Sequence, residues 1–455
     1  MEYLLGVGFI PYLIISLIAS ALMLGNYFSS RAHFKFTPRG LRVYLPYSIV
    51  LLALVMVFSL LLVDVYRLIS LTLLLLFSEI ILFMVNGIIA PFERARNFRY
   101  AHKNTAPIRQ KQVIRIVITG SFGKTTCKNI LTALLSEKYK VFGSEKNYNT
   151  PLGLAKSVGN IPPAGFSESE KPLIFIAEAG ARRMGDVTKM CSLVTPTYGI
   201  ITGVCAQHLD TFKTLERVKR AKEELSNYVG EKGTVIFNGD NEHTLEMSRN
   251  FKGKGVVVGT KMGGITIRNL KTTIQGTSFE LHTREGVLPL KTALLGRHNA
   301  LNVSLAVALA LELGVEREVI IRVVEGLSPV EHRLEIRRNG NLTILDDSYN
   351  ANEVGVMEAL EVLSTFLGRK VIFAQGVVEC GRKKREINEK IGRKVGETAD
   401  VVLLAGENIP HLKRGLQEVG YLGKIYEFTS VMHAKGEFKN ILRQGDILYI
   451  QNDVP

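Results

Sequence analysis

The stretch VIRIVITGSFGKTTCKNILTALLSEKY, Val113–Tyr139, decides how this chain is read. Its first seven residues are mostly β-branched and predict a buried strand, and apolar residues recur at helical spacing after Thr126. Between them lies Gly120-Ser121-Phe122-Gly123-Lys124-Thr125-Thr126, in the strand–loop–helix order that a phosphate-gripping loop requires. The glycines let backbone N–H groups close around phosphate oxygens, and the opening of the helix adds favourable potential. Lys124 is the candidate contact for the terminal phosphates of ATP, and Thr125 for a hydroxyl on Mg²⁺. The loop is the short form, with Ile118 where the longer pattern has its first glycine. A helix that merely opens after a glycine turn is the competing reading, and the preceding strand weighs against it.

Downstream, strands continue to alternate with helices. PLIFIAEAG (172–180) and YGIITGV (198–204) read as buried strands, and NIPPAGFSESEKP (160–172) as a surface loop. Residues 253–295 carry GITIRNL and TSFELHT between glycine turns, a small β excursion. RHNALNVSLAVALALELG (297–314) reads as a helix closed by Gly314. A second α/β unit begins near residue 330, through LTILDDSYNAN, KVIFAQGVV and DVVLLAG. The alternation predicts the α/β class with parallel sheets. A central P-loop domain over 113–329 is followed by a Rossmann-like C-terminal domain over 330–455.

Upstream, three apolar stretches near 3–23, 45–63 and 68–90 each approach the roughly 20 residues of a spanning helix. They predict three N-terminal transmembrane helices in a membrane anchor over 1–92, followed by a polar linker over 93–112. Arg31, Lys35, Arg39 and Arg42 lie between the first two stretches; Arg94, Arg96, Arg99, Lys103, Arg109 and Lys111 follow the third. Positive residues stay inside, so this pattern predicts a multi-pass protein of the inner cell membrane with cytoplasmic catalytic domains and membrane lipid as a partner. Glu79 in the third stretch reads either as a contact for a lipid-linked substrate or partner helix, or as a packed, protonated carboxylate.

Composition narrows the classes. The chain has 455 residues, a net charge of +15 and 46% hydrophobic residues. Basic runs such as RGLR (39–42) and ERARNFR (93–99) flank apolar segments, and none is interleaved with aromatics as in an RNA-binding motif, so no nucleic-acid partner is expected. Cys127, Cys191, Cys205 and Cys380 form no Cys-x-x-Cys and predict neither a zinc ribbon nor a disulfide framework. The oligomeric state is not legible.

Several further stretches, in order, resemble the Mur ligases, which add amino acids to the peptidoglycan precursor. KNYNTPLGLA (146–155), EAGARRMGDV (178–187) and GVCAQHLDTFKTLERVKRAKEEL (203–225) are similar to the family's blocks after the P-loop helix. LLGRHNALNVSLA (294–306), EHRLE (331–335) and DDSYNAN (346–352) complete the set, the last closest to the D-alanyl-D-alanine-adding branch. The resemblance covers about 113–455. It implies an ATP- and Mg²⁺-dependent amide ligase that activates a carboxylate as an acyl phosphate and joins it to an amino acid or D-Ala-D-Ala. The acceptor would be a cell-wall precursor, UDP-linked or lipid-linked.

The resemblance also implies roles. Glu178 and Thr125 would hold one Mg²⁺; His208 and Lys222, the latter carbamylated, would hold a second. Read without the family, Lys222 is an exposed helical lysine beside Glu223 and Glu224. Asn299 and Asn302, three apart on one helix, suit the adenine, with His298 pointing elsewhere. Arg333 would reach the γ-phosphate and Asp347 the ribose hydroxyls, which requires one lobe to close on the other. Glu353 replaces a family proline, Asn388 in VECGRKKREINEKIG (378–392) replaces a frequent histidine, and the apolar stretches stand where family members have a UDP-sugar domain. A poly-γ-glutamate-type ligase and a non-catalytic membrane scaffold for cell-wall enzymes are the alternatives.

Overall fold

The structure, a computed structural model, describes residues 38–62, 66, 69–70, 72–74, 77–110, 112–145, 148–162, 171–349 and 351–451, with the side chains of 38, 39 and 59 excepted. The chain forms two compact units, Met1–Arg99 and Tyr100–Pro455.

In the first unit, helix α1 (Pro38–Leu61) and the start of α2 (Ser78–Asn104) are apolar. Leu51, Val55 and Leu74 are buried against Tyr47, Leu54, Phe58 and Ile81, and Arg42 Nε donates to Glu93 Oε1 at 2.7 Å. Among the described residues one stretch, Gly40–Phe58, is long and apolar enough to cross a membrane. The first expected span, 3–23, lies outside the described residues, as do Arg31, Lys35 and Lys111. The third is not a single apolar helix: α2 begins at Ser78 and runs through Pro91 into the basic segment, which leaves too little apolar length ahead of the charges. The expected three-span anchor and multi-pass inner-membrane placement are therefore corrected to one candidate span among the described residues. Glu79 is exposed in the first turn of α2 and is not a packed carboxylate.

The second unit contains two sheets. The first comprises β1 (Val113–Thr119), β2 (Lys140–Gly143), β3 (Leu173–Ala179), β4 (Tyr198–Ile201), β5 (Thr234–Asn238), β6 (Lys254–Gly259), β7 (Ile265–Thr273), β8 (Gly276–Thr283) and β9 (Gly286–Thr292), in the order β2-β3-β1-β4-β5-β6-β7-β8-β9. Pairing is parallel from β2 through to β7, and β7–β8–β9 form an antiparallel meander. The expected β excursion is thus an extension of the main sheet, with β6 as one of its parallel strands. Burial on both faces explains the continuous apolar runs of β1 and β3.

Helix α3 (Lys124–Ser136) follows β1 directly and packs Ile130, Leu131, Leu134 and Leu135 into the core. Further along come α4 (Asp186–Val194), α5 (Leu215–Val229) and α6 (Arg297–Glu312). Every residue of α6 from Asn299 to Ala310 is buried, which accounts for its lack of a polar face.

The second sheet has the order β10-β11-β15-β12-β13-β14, from β10 (Glu335–Asn339), β11 (Leu342–Asp347), β12 (Lys370–Ala374), β13 (Val401–Ala405), β14 (Lys424–Phe428) and β15 (Ile447–Gln451). All of its pairs are parallel except β10–β11. Asp347 ends β11, at the carboxyl edge where ligands of such sheets bind.

Candidate active site

The loop after β1 turns at two glycines. Gly120 has φ +150° and a Cβ there would strike the Thr202 hydroxyl; Gly123 has φ +74° and lies against the Asn302 side-chain amide. Neither position tolerates a side chain. Gly123 also begins α3 with no side-chain cap, so the first N–H groups of that helix remain available to an anion. Ser121 is tied back into the frame, its N–H donating to Gly203 O at 2.8 Å and its hydroxyl accepting from Cys205 N at 3.2 Å. Lys124 Nζ donates to Gly120 O at 2.8 Å, and burial pulls its pKa down.

Strand register supplies the next residue. Ile118 on β1 faces Glu178 on β3, and the Thr125 hydroxyl donates to Glu178 Oε2 at 2.9 Å. Lys128, one turn beyond Lys124, is buried, with Nζ 4.0 Å from Glu178 Oε2 and donating to Ser144 O at 2.6 Å. Its i+4 spacing from Lys124 was the available signal, and sequence reasoning passed over it.

His208 follows β4 in a left-handed conformation (φ 55°), with Nδ1 hydrogen-bonded to Glu379 of the second sheet's lobe. Burial lowers its pKa more than Glu379 raises it, so the ring is neutral near pH 7. Lys222 is 3% exposed, on the face of α5 that also carries Val218, Ala221 and Leu225. It is not the exposed helical lysine of the competing reading. Burial, with Lys124 nearby, pushes its pKa down to about 7. Glu224 projects to the start of α4, accepting from Gly185 N at 2.6 Å and Thr188 N at 2.9 Å.

The second lobe reaches across. The Arg333 guanidinium donates from Nη2 to the Thr125 hydroxyl at 3.3 Å and stacks 4.4 Å from the centre of the Tyr349 ring. Its neighbours His332 and Leu334 hold left-handed conformations, φ 60° and 51°. Asp347 lies behind it near the Tyr449 hydroxyl, at 3.4 Å; burial pushes its pKa up to about 6, and Arg333 partly offsets this.

These residues surround two adjoining cavities. One, of about 490 Å³, is lined by Gly120, Ser121, Gly123, Lys124, Thr125, Glu178, His208, Lys222 and Arg333, with Arg182, Asp186 and Lys189 toward its rim. The other, of about 70 Å³, is lined by Gly123, Thr126, Asn299, Asn302, Arg333 and Asp347. Phe122, Gly123, Arg333 and Asn352 border both. Every candidate catalytic, nucleotide-binding and metal residue named from the sequence therefore lines one of them. His298 departs from expectation: it borders the small cavity, its buried Nδ1 has no hydrogen-bond partner, and burial pushes its pKa down to about 4.

Among the described residues no cluster of three His, Cys, Asp or Glu forms a complete metal cage. The donors present, Thr125 with Glu178 and the imidazole of His208, are partial shells lining the larger cavity. That suits Mg²⁺, which binds through one or two protein ligands together with phosphate oxygens and water.

Comparison with known proteins places the chain. Residues 118–310 match the Mur ligase middle domain, and 332–451 the Mur ligase, glutamate ligase domain. The Escherichia coli UDP-N-acetylmuramoyl-tripeptide–D-alanyl-D-alanine ligase is 30% identical over 297 residues, covering 63% of each chain. The Bacillus subtilis enzyme of the same name is 25% identical over 337 residues, 73% of this chain and 71% of that one. The chain thus spans a little under two thirds of the length of the E. coli relative. Among solved structures, MurF from Acinetobacter baumannii superposes with TM-score 0.70 at 23% identity over 79% of this chain and 77% of that one. MurF from Thermotoga maritima in complex with ADP gives TM-score 0.66 at 22% identity, over 78% and 80%.

Proposed function

The chain belongs to the Mur ligase family through its middle and C-terminal domains, and from that premise we propose that it is an ATP-dependent amide ligase of the MurF type. Its acceptor would be the peptide carboxylate of a cell-wall precursor, and its second substrate D-Ala-D-Ala or a similar amine. The observation that carries this reading is the reach of Arg333 from one lobe to Thr125 on the other, around a cavity that also holds Lys124, Glu178, His208 and Lys222. We take residues 113–329 and 330–455 as the two working domains.

In the first step an acceptor carboxylate oxygen attacks the γ-phosphorus, ADP leaves, and an acyl phosphate forms. In the second the amine attacks the acyl carbon, gives up a proton, and inorganic phosphate leaves as the amide bond is made. The free N–H groups of the loop, Lys124 and Arg333 sit where negative charge accumulates in both steps. Asn299 and Asn302 face the smaller cavity as the proposed adenine contacts, beside Thr126, and Asp347 would accept from the ribose. Thr125 and Glu178 would hold one Mg²⁺, and His208 with Lys222 a second. When bound, the ions neutralise phosphate charge and orient the reacting oxygens. A lysine with its pKa near 7 is substantially neutral at physiological pH, the state that takes up CO₂ to become a carbamate. No comparable argument supports a scaffold without catalysis, for which a neutral buried lysine and a stacked interlobe arginine would have no use.

The test is phosphate release from MgATP by purified protein, across UDP-linked tripeptide and lipid-linked precursors, each with D-Ala-D-Ala or single amino acids. Release that needs both a precursor and an amine is expected. ATP turnover indifferent to both, or no nucleotide binding, refutes the reading.

A further inference from the structure

Glu379 lies in the loop after β12, in a left-handed conformation (φ 59°) that non-glycine residues adopt only when their surroundings hold them there. Its carboxylate makes two contacts on the central lobe. One oxygen bonds His208 Nδ1, and the other lies 3.6 Å from Arg182 Nη2. Its backbone carbonyl accepts from Leu209 N at 2.9 Å. Gly381, two residues on with φ +53°, lets the chain approach the Leu209 backbone, where a Cβ would meet Leu209 Cβ at 3.1 Å. A single residue of the C-terminal lobe therefore grips the His208–Leu209 segment through both main chain and side chain.

The two grips differ in consequence. The backbone bond holds the lobes together whatever side chain stands at 379. The carboxylate selects a state of the ring, because a neutral imidazole carries one N–H, and an acceptor at Nδ1 draws the proton there. Nε2 is left with its lone pair, as a carboxylate–histidine pair does in metal sites. His208 lines the larger cavity together with Lys222, its proposed co-ligand.

We infer that Glu379 is a positioning residue that aims His208 at a divalent cation, so that the metal site is completed by the opposite lobe when the two are shut. This rests on the ligase reading above and deepens it. Metal affinity and lobe closure become linked: each strengthens the other by the same factor. A plain interlobe ion pair with Arg182, which is largely exposed, would instead contribute little and act only on closure.

The experiment uses the full-length protein with Mn²⁺ as the probe and a non-hydrolysable ATP analogue present, free Mn²⁺ being followed by electron paramagnetic resonance. Analogue affinity without metal and the small-angle X-ray scattering profile are recorded alongside. Glu379→Ala is expected to weaken Mn²⁺ roughly 10–100-fold, the usual effect of removing such a partner. Glu379→Gln still accepts from Nδ1–H and should recover most of that loss. Without metal, both nucleotide affinity and the scattering profile should match wild type, because the Leu209–Glu379 backbone bond persists. The inference is overturned if Mn²⁺ affinity in Glu379→Ala stays within about twofold of wild type, or if metal affinity and scattering change together in both variants. Should Glu379→Ala not fold, Glu379→Asp takes its place, since the shorter chain cannot keep the same reach. Wild-type protein that binds the analogue but no Mn²⁺ also overturns it, whereas failure to bind the analogue at all defeats the ligase reading instead.

Discussion

Replacing Lys222 with methionine should make the protein inactive and more stable. The lysine is almost fully buried, with no carboxylate in hydrogen-bonding contact, and its pKa falls from 10.5 to about 7. Below about pH 7 both the folded and unfolded chains hold the proton, and the penalty is constant. Between about 7 and 10.5 only the unfolded chain holds it, so this group makes the folded state more stable as pH rises, by up to about 1.4 kcal/mol per unit. Over the whole interval the effect amounts to about 4–5 kcal/mol. Methionine is close in length and apolar, so Lys222→Met should relieve about 4 kcal/mol at pH 7 and flatten the pH dependence above it. Urea unfolding of both proteins across that range, in buffer freed of CO₂, measures the difference. Added bicarbonate should stabilise the wild type alone, since only it can form a carbamate. Parallel curves for the two proteins, or a methionine variant weaker at every pH, would refute the account of a desolvated neutral amine.

Lys124→Ala should lower precursor-dependent ATP turnover at least about 100-fold with thermal unfolding little changed, since it removes one cation from the developing charge; unaltered turnover would remove the loop from the mechanism. Asp347, with its pKa at about 6, should lose its negative charge as pH falls through that value, so the KM for ATP should rise about tenfold from pH 7 to pH 5. The same raised pKa makes stability fall as pH climbs from about 3.8 to about 6, and Asp347→Asn should abolish both dependences. Arg333→Lys keeps the charge but not the planar stack on Tyr349, and kcat should drop about 10–100-fold while nucleotide affinity, read by equilibrium titration, changes much less.

What could be read from the sequence was local in origin. The strand, glycine loop and helix from Val113 to Ser136 announce themselves by residue type and spacing, because each of those elements is dictated by neighbours within a few positions. The strand ends that carry Glu178 and Asp347 were legible for the same reason. Lys222 was not legible as buried, since Glu223 and Glu224 beside it point to a solvated face, and only the packing of α5 shows otherwise. The pairing of His208 with Glu379 joins residues 171 positions apart, a relation no local pattern encodes. The third N-terminal stretch misled because hydropathy counts apolar residues without registering where a helix starts or where Pro91 and the basic run fall within it.

Arg333 sits between two left-handed residues on the connection from one lobe to the other. The guanidinium that reaches Thr125 is therefore carried by the short link between the two sheets. If the halves part about that link, separation of the lobes and withdrawal of that charge would be one movement. On the ligase reading, an activated acid anhydride exposed by premature parting would then meet bulk water with its stabilising cation already gone. A link of that kind would favour a strict sequence of arrivals, in which the amine is seated before the gap widens.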